Sequence, residues 1–264
     1  MSININYAKQ LFSTSGFSPY SAAYIVTNED LRYALEHMPK DTKKALVVAA
    51  SGDHPLFTAL YGAQYIDTFD ISFNARLIMD IKTYALQLLN RRQYCKLLID
   101  IQESKDVSTV KHMQPIIEKL TVAEQKYLYQ MRGYQLFDKN GYVCPLSLPY
   151  NQEFKQMKKT ITKPFNFIWS DIRTLHKKLT KRYDFMHLSN ILDYQDMNSC
   201  VYILHTLTKY TKPGSIICFE NVVWSPKRID TIFTLLTPYV NNDGKQMWEF
   251  HKQNGMFYTM NRVR

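Results

Sequence analysis

Apolar positions alternate along most of the chain between short continuous runs and helical stripes. Ala45 to Ala50 (ALVVAA) is a six-residue apolar run bounded by Ser51-Gly52-Asp53. It is too short for a helix and reads as a strand buried on both faces. A helical stretch follows around Pro55 to Leu60, with proline in the first turn, where its missing N–H costs nothing. Tyr65 to Phe69 reads as a second strand ending on Asp70. From Phe73 to Asn90 the residues Ala75, Ile78, Ile81, Ala85 and Leu88-Leu89 line one broad helical face. The rhythm then breaks over 91–163. Helical pieces are expected near 91–101, 106–119, 121–131 and 153–160, with turns at Asp138-Lys139-Asn140-Gly141 and Cys144-Pro145. It resumes with a third strand at 164–169, a helix at 172–181 and a fourth strand from Tyr183 to Leu188. A helix at 196–210, a fifth strand from Ser215 to Phe219 and a helix from Pro226 to about Leu236 follow. The end, 246–251 and 256–263, alternates like a hairpin around Asn254-Gly255.

Before the first run, residues 1–44 read as a helical cap. Thr27 or Asn28 is placed to start a helix carrying Leu31, Ala34, Leu35 and Met38, which Pro39 ends. Tyr7, Phe12, Phe17 and Tyr20 either fill the core or fold over a ligand as a lid. The expected organisation is therefore a cap, 1–44, and one domain, 45–264, with a mainly helical insertion at 91–163.

The chemistry suggested by this layout sits at the strand ends. Strand, Gly turn, helix, strand and terminal acid make the first half of a nucleotide-binding βαβ unit. Gly52 would let a ligand approach the backbone, and the helix start after it favours negative charge. Asp70, 18 residues after Gly52, is placed to accept hydrogen bonds from two ribose hydroxyls. One glycine is too few for the G-x-G-x-x-G turn that packs a pyrophosphate. A ribose ligand without pyrophosphate, such as S-adenosylmethionine, suits this turn better than NAD or FAD. The competing reading is a plain αβ core in which the Gly turn and the acid are structural.

Composition narrows the picture only in part. At 264 residues, 45% hydrophobic and 21% charged, the values are those of a globular α/β protein able to bury a sizeable core. No apolar run approaches the roughly 20 residues that span a bilayer, and MSININYAKQ lacks the order of a signal peptide. Cys95, Cys144, Cys200 and Cys218 are scattered without metal-ligand spacing, so reduced thiols, a cytoplasmic setting and no metal are expected. Lys and Arg number 33 against 23 Asp and Glu, and the insertion holds 13 against 7. That excess could serve nucleic acid or an anionic surface, or be a solvated helical face.

Five βα units and a closing hairpin resemble the class I S-adenosylmethionine-dependent methyltransferases. The resemblance covers about 45–90 and 164–264. It implies an α/β fold with a Rossmann-like sheet and S-adenosylmethionine as cofactor. Around that cofactor it implies Ser51, Gly52, Asp53 and His54 after strand one and Asp70, Ile71 and Ser72 after strand two. It adds Ser170, Asp171 and Ile172 after strand three, near the adenine, and Ser189 after strand four. Lys212-Pro213-Gly214 matches the usual turn before strand five. A narrower likeness rests on Glu29-Asp30-Leu31, SGDHPL, Asn74, Lys82 and Ala85. It looks like the 3-amino-3-carboxypropyl transferases of betaine-lipid synthesis, which move a different arm of the same cofactor.

Both reactions are displacements at a carbon on the sulfonium, so the protein must mainly align donor and acceptor and, where needed, take a proton. Asn190, Asp193 and Tyr194 are the acceptor-side candidates. Asp53 and His54 could hold the amino acid end of the cofactor. His187, among apolar neighbours, reads as a core residue, and Asp184 as a cap. Three functions follow in order: a transferase acting on a small molecule or lipid headgroup, an RNA or protein methyltransferase reading its substrate through the basic insertion, and a cofactor-binding protein without catalysis.

Overall fold

The computed structural model describes residues 18–138, 148–221, 249–253 and 256–262. Tyr7, Phe12 and Phe17, most of the turn-rich stretch 138–145, the helix expected from Pro226 and the hairpin tip Asn254-Gly255 lie outside the described residues.

The sheet has seven strands: β1 (Lys44–Val48), β2 (Tyr65–Asp70), β3 (Asn166–Trp169), β4 (Tyr183–His187), β5 (Thr211–Asn221), β6 (Glu249–Gln253) and β7 (Met256–Arg262). Their spatial order is β3-β2-β1-β4-β5-β7-β6. The strands from β3 to β5 pair in parallel, and β7 runs antiparallel to both β5 and β6. This is a Rossmann-like sheet with a C-terminal hairpin, the α/β arrangement expected from the sequence. The order turns back between β1 and β4, which makes the crevice outside their carboxyl ends the topological switch point.

Alternation along β1 explains why its whole apolar run is needed. Ala45 and Val47 face one core, and Leu46 and Val48 face the other. The first core is covered by α1 (Leu31–Glu36), α2 (Asp53–Leu60), α3 (Phe73–Leu88) and the insertion. The second lies under α8 (Met197–Thr208) and the irregular stretches 172–179 and 188–192. A parallel strand with no solvent face is apolar throughout, because each fully buried Leu or Val contributes roughly 1.5–3 kcal/mol.

The insertion folds as α4 (Arg91–Glu103), α5 (Met113–Ile117), α6 (Val122–Gln130) and α7 (Asn151–Thr160). It is not a solvated decoration. Leu97, Leu98, Ile101, Met113, Ile116 and Tyr127 are buried in the first core. The stripe expected to run to Asn90 stops at Leu88, because Asn90 caps α4 in a reciprocal pair with Gln93.

Two local expectations are corrected. The helix expected at 172–181 is a single 3-10 turn, Leu175–Lys177. Asp171 accepts from the Arg173 N–H there and starts a turn, while Leu175 and Leu179 drop into the core. Near the N-terminus neither Thr27 nor Asn28 caps the helix. Asp30 does, accepting from the Tyr33 N–H, and α1 has six residues. Among the described residues of the expected helical cap, 18–30 is instead an irregular strap of turns and bends with one isolated bridge, Ala23 to Phe137. No helix of the described residues is long and apolar enough to cross a membrane.

Candidate functional site

The strap runs across the carboxyl ends of β2, β1 and β4, fastened at each. At β2, the Pro19 carbonyl accepts the Phe73 N–H (2.8 Å), and the Ser21 carbonyl accepts the Ser72 hydroxyl (2.7 Å). Asn74 donates to the Tyr20 and Ser21 carbonyls at 3.0 and 3.1 Å and accepts from the Tyr127 hydroxyl at 3.0 Å, tying strap to insertion. At β1, the Thr27 N–H donates to Asp53 (2.8 Å). At β4, Glu29 accepts from the Ser189 hydroxyl. Tyr20 is buried against Tyr127 and Trp169, so it fills the core.

Gly52 caps α2 in the left-handed region (φ +83°). A Cβ there would stand 2.8 Å from the Met79 Cα. The glycine is thus demanded by the close approach of α3. Asp53 is likewise taken up by the fold. One oxygen meets the Lys82 ammonium at 2.5 Å, and the other accepts from Thr27 and from the Ser51 hydroxyl (2.9 Å). Both Asp53 and Lys82 are buried.

Asp70 differs. It ends β2, is half-buried, and its two oxygens accept the Ala50 N–H (3.0 Å) and the Ser72 N–H (2.9 Å). The Ile71 N–H is a third backbone donor, and of the roughly four lone-pair sites of the carboxylate at least one stays open. Burial raises the acid and the backbone donors only partly offset it, leaving it at about 6. Ala50 (φ +44°) and Ser189 (φ +55°) are left-handed non-glycine residues at the ends of β1 and β4. Strain of this kind gathers at functional sites, and here it flanks the switch point.

The remaining expected residues spread around this crevice. Ile71 is half-exposed, its carbonyl held by the Trp169 indole at 2.7 Å. Ser72 caps α3. Ser170 is buried, its N–H on the Asp70 carbonyl (3.0 Å). Asp171 is paired with Arg173 at 2.5 Å, and Ile172 is in the second core. Asn190, Asp193 and Tyr194 lie together on and beside the 3-10 turn Ile191–Tyr194, directly after β4, with Tyr194 exposed.

One group was not legible. Glu29, His54 and His187 come together beneath the strap, all buried. His54 Nε2 lies 2.7 Å from a Glu29 oxygen, and its ring is 5.0 Å from that of His187. Burial raises the Glu29 carboxyl, but the facing His54 outweighs it and brings it down to about 2. Burial and the neighbouring His54 lower His187 to about 3, so it is neutral. Glu220, buried on β5 beside Glu29, is held well above the ordinary carboxylate range by burial and by that neighbour's charge. His187 looked like a core residue because its strand neighbours are apolar; its partners come from segments far away in sequence.

No family model matches the chain, and no curated protein matches it. Solved structures with a similar course exist. The N-methyltransferase NodS from Bradyrhizobium japonicum, in complex with S-adenosyl-L-homocysteine, is 10% identical with a TM-score of 0.45, over 98% of this chain and 97% of that one. The rRNA methyltransferase aviRa from Streptomyces viridochromogenes is 10% identical with a TM-score of 0.46, over 97% and 92%. The ribosomal protein L11 methylase from Lactobacillus delbrueckii subsp. bulgaricus is 8% identical with a TM-score of 0.43, over 89% and 77%. At these values the matches carry nothing about acceptor or chemistry.

Proposed function

We propose that the crevice at the ends of β1, β2 and β4 binds S-adenosylmethionine, and that the protein is a transferase acting on a small molecule or lipid headgroup. The observation that carries this reading is Asp70. Its carboxylate sits at the tip of β2, bonded to the backbone of the β1 turn, with acceptor capacity left for a further donor. A ribose hydroxyl could use that capacity, and donation to the charged form would pull the raised acid back down. The strained residues Ala50 and Ser189 on either side of the switch point support a ligand there.

When bound, the cofactor supplies a sulfonium whose attached carbons are open to displacement, by methyl or by aminocarboxypropyl transfer. The chain's own part is alignment. Asp70 would fix the ribose, and Ile71 would border the adenine. Asp171 reaches an adenine amino group only by sharing its carboxylate with Arg173. On the acceptor side, Asn190 could orient a hydroxyl or amine, and Asp193 could take its proton. Tyr194, at the surface, would line the entrance.

The test is the affinity of Asp70→Ala for S-adenosylhomocysteine beside that of the wild-type protein. A fall of about tenfold or more is expected for loss of a charge-assisted hydrogen bond. Equal affinity in a folded Asp70→Ala protein would overturn the ribose assignment.

A further inference from the structure

We propose that Glu29, His54 and His187 form a binding site for one divalent transition-metal ion, with Zn²⁺ the best fit, fastening the N-terminal strap to the strand ends. One ligand atom from each lies within 4.8 Å of the other two. Around a tetrahedral ion with bonds of about 2.1 Å, ligand atoms stand roughly 3.4 Å apart. From separations of at most 4.8 Å, and from the 2.7 Å His54–Glu29 contact, that spacing is reached by side-chain shifts of about an ångström.

The donor set fits the chemistry. Two imidazoles and one carboxylate suit zinc and its first-row neighbours. Among the described residues neither nitrogen of His187 has a hydrogen-bond partner, and His54 Nδ1 has none, although both side chains are buried. Buried polar atoms without partners are costly and uncommon in folded proteins. A metal ion takes the one lone pair of each neutral imidazole and leaves the other nitrogen as an N–H donor. The Ser189 hydroxyl on the second Glu29 oxygen supplies the outer contact that ligating carboxylates usually have.

The three ligands come from separate parts of the chain: the strap, the first turn of α2 and the end of β4. An ion here would close the strap over the switch point from the β4 side. The scattered cysteines gave no sign of it, since the site uses none of them. The inference does not depend on S-adenosylmethionine and goes beyond that reading.

The experiment is titration of the untagged, metal-stripped full chain with Zn²⁺, followed by Co²⁺ and its visible d–d spectrum. One Zn²⁺ per chain, a rise in melting temperature and a tetrahedral Co²⁺ spectrum are expected. His187→Gln and Glu29→Gln should each weaken uptake about tenfold or more and alter that spectrum. Absence of stoichiometric uptake by the folded wild-type protein overturns the proposal, whatever the variants do. So does uptake that both variants, or the one that folds, leave unchanged. Cofactor titration of the same metal-stripped protein separates failure here from failure of the cofactor assignment.

Discussion

The buried Lys82–Asp53 pair makes the first-strand turn a structural joint, and replacing Lys82 with Met tests that reading. At 2.5 Å and an effective dielectric constant of about 20, the attraction is about 7 kcal/mol. Several kcal/mol of desolvation per ion oppose it, so the intact pair contributes little net stability. Removing the ammonium leaves the desolvation of Asp53 uncompensated. Its other oxygen still accepts from Thr27 and Ser51, which softens the loss without abolishing it. Lys82→Met should therefore cost about 3–5 kcal/mol. That corresponds to a melting temperature lower by roughly 6–20 °C for a chain of this size. Urea denaturation followed by circular dichroism measures it. The double variant Lys82→Met/Asp53→Asn removes the buried charge and keeps an acceptor for Thr27, so it should recover at least half of the loss. A single-variant loss under about 1 kcal/mol, or a double variant no better than the single, would refute the argument.

Three further outcomes follow from buried contacts. Asp80 is raised to about 8 by burial and by Glu124 beside it, against about 3.9 when unfolded. The folded state thus keeps a proton that the unfolded chain releases, and stability falls as pH rises across that window. Asp80→Asn should flatten the fall in urea midpoint between about pH 5 and pH 8; a wild-type midpoint that rises over the window contradicts it. Gly52→Ala combines a left-handed backbone with a Cβ pressed on Met79, and should cost about 2–5 kcal/mol in chemical denaturation. Asn74→Ala removes the hydrogen bonds that Asn74 makes to the Tyr20 and Ser21 carbonyls and the one it accepts from the Tyr127 hydroxyl. It should lose roughly 2–4 kcal/mol, and limited proteolysis should then cut fastest within 18–30.

What could be read from the sequence was local. The apolar run of β1, the stripe of α3 and the succession of strands along the chain all follow from periodicity, because a strand buried on both faces and an amphipathic helix leave distinct patterns. The hairpin β6–β7 was legible for the same reason. The short turn at 175–177 was not, because a stretch rich in lysine and leucine satisfies helical spacing without filling a helix's worth of core. Lys82 gave no hint of its burial, since lysine on a helix ordinarily faces water. Only the contact with Asp53, 29 residues earlier, explains it. Glu29, His187 and Glu220 belong to elements that the fold alone brings together, and no spacing along the chain marks them. The strap escaped notice because its contacts are mostly backbone carbonyls, which carry no residue signature.

The central claim is that the strand-end crevice holds an adenosine-sulfonium ligand rather than a dinucleotide. Calorimetric titration of the wild-type protein with S-adenosylhomocysteine, beside NAD, tests it most directly. Saturable binding of S-adenosylhomocysteine with one site per chain, and none of NAD, is the predicted result. Binding of NAD, or of neither, would contradict it and return the Asp70 turn to a structural role.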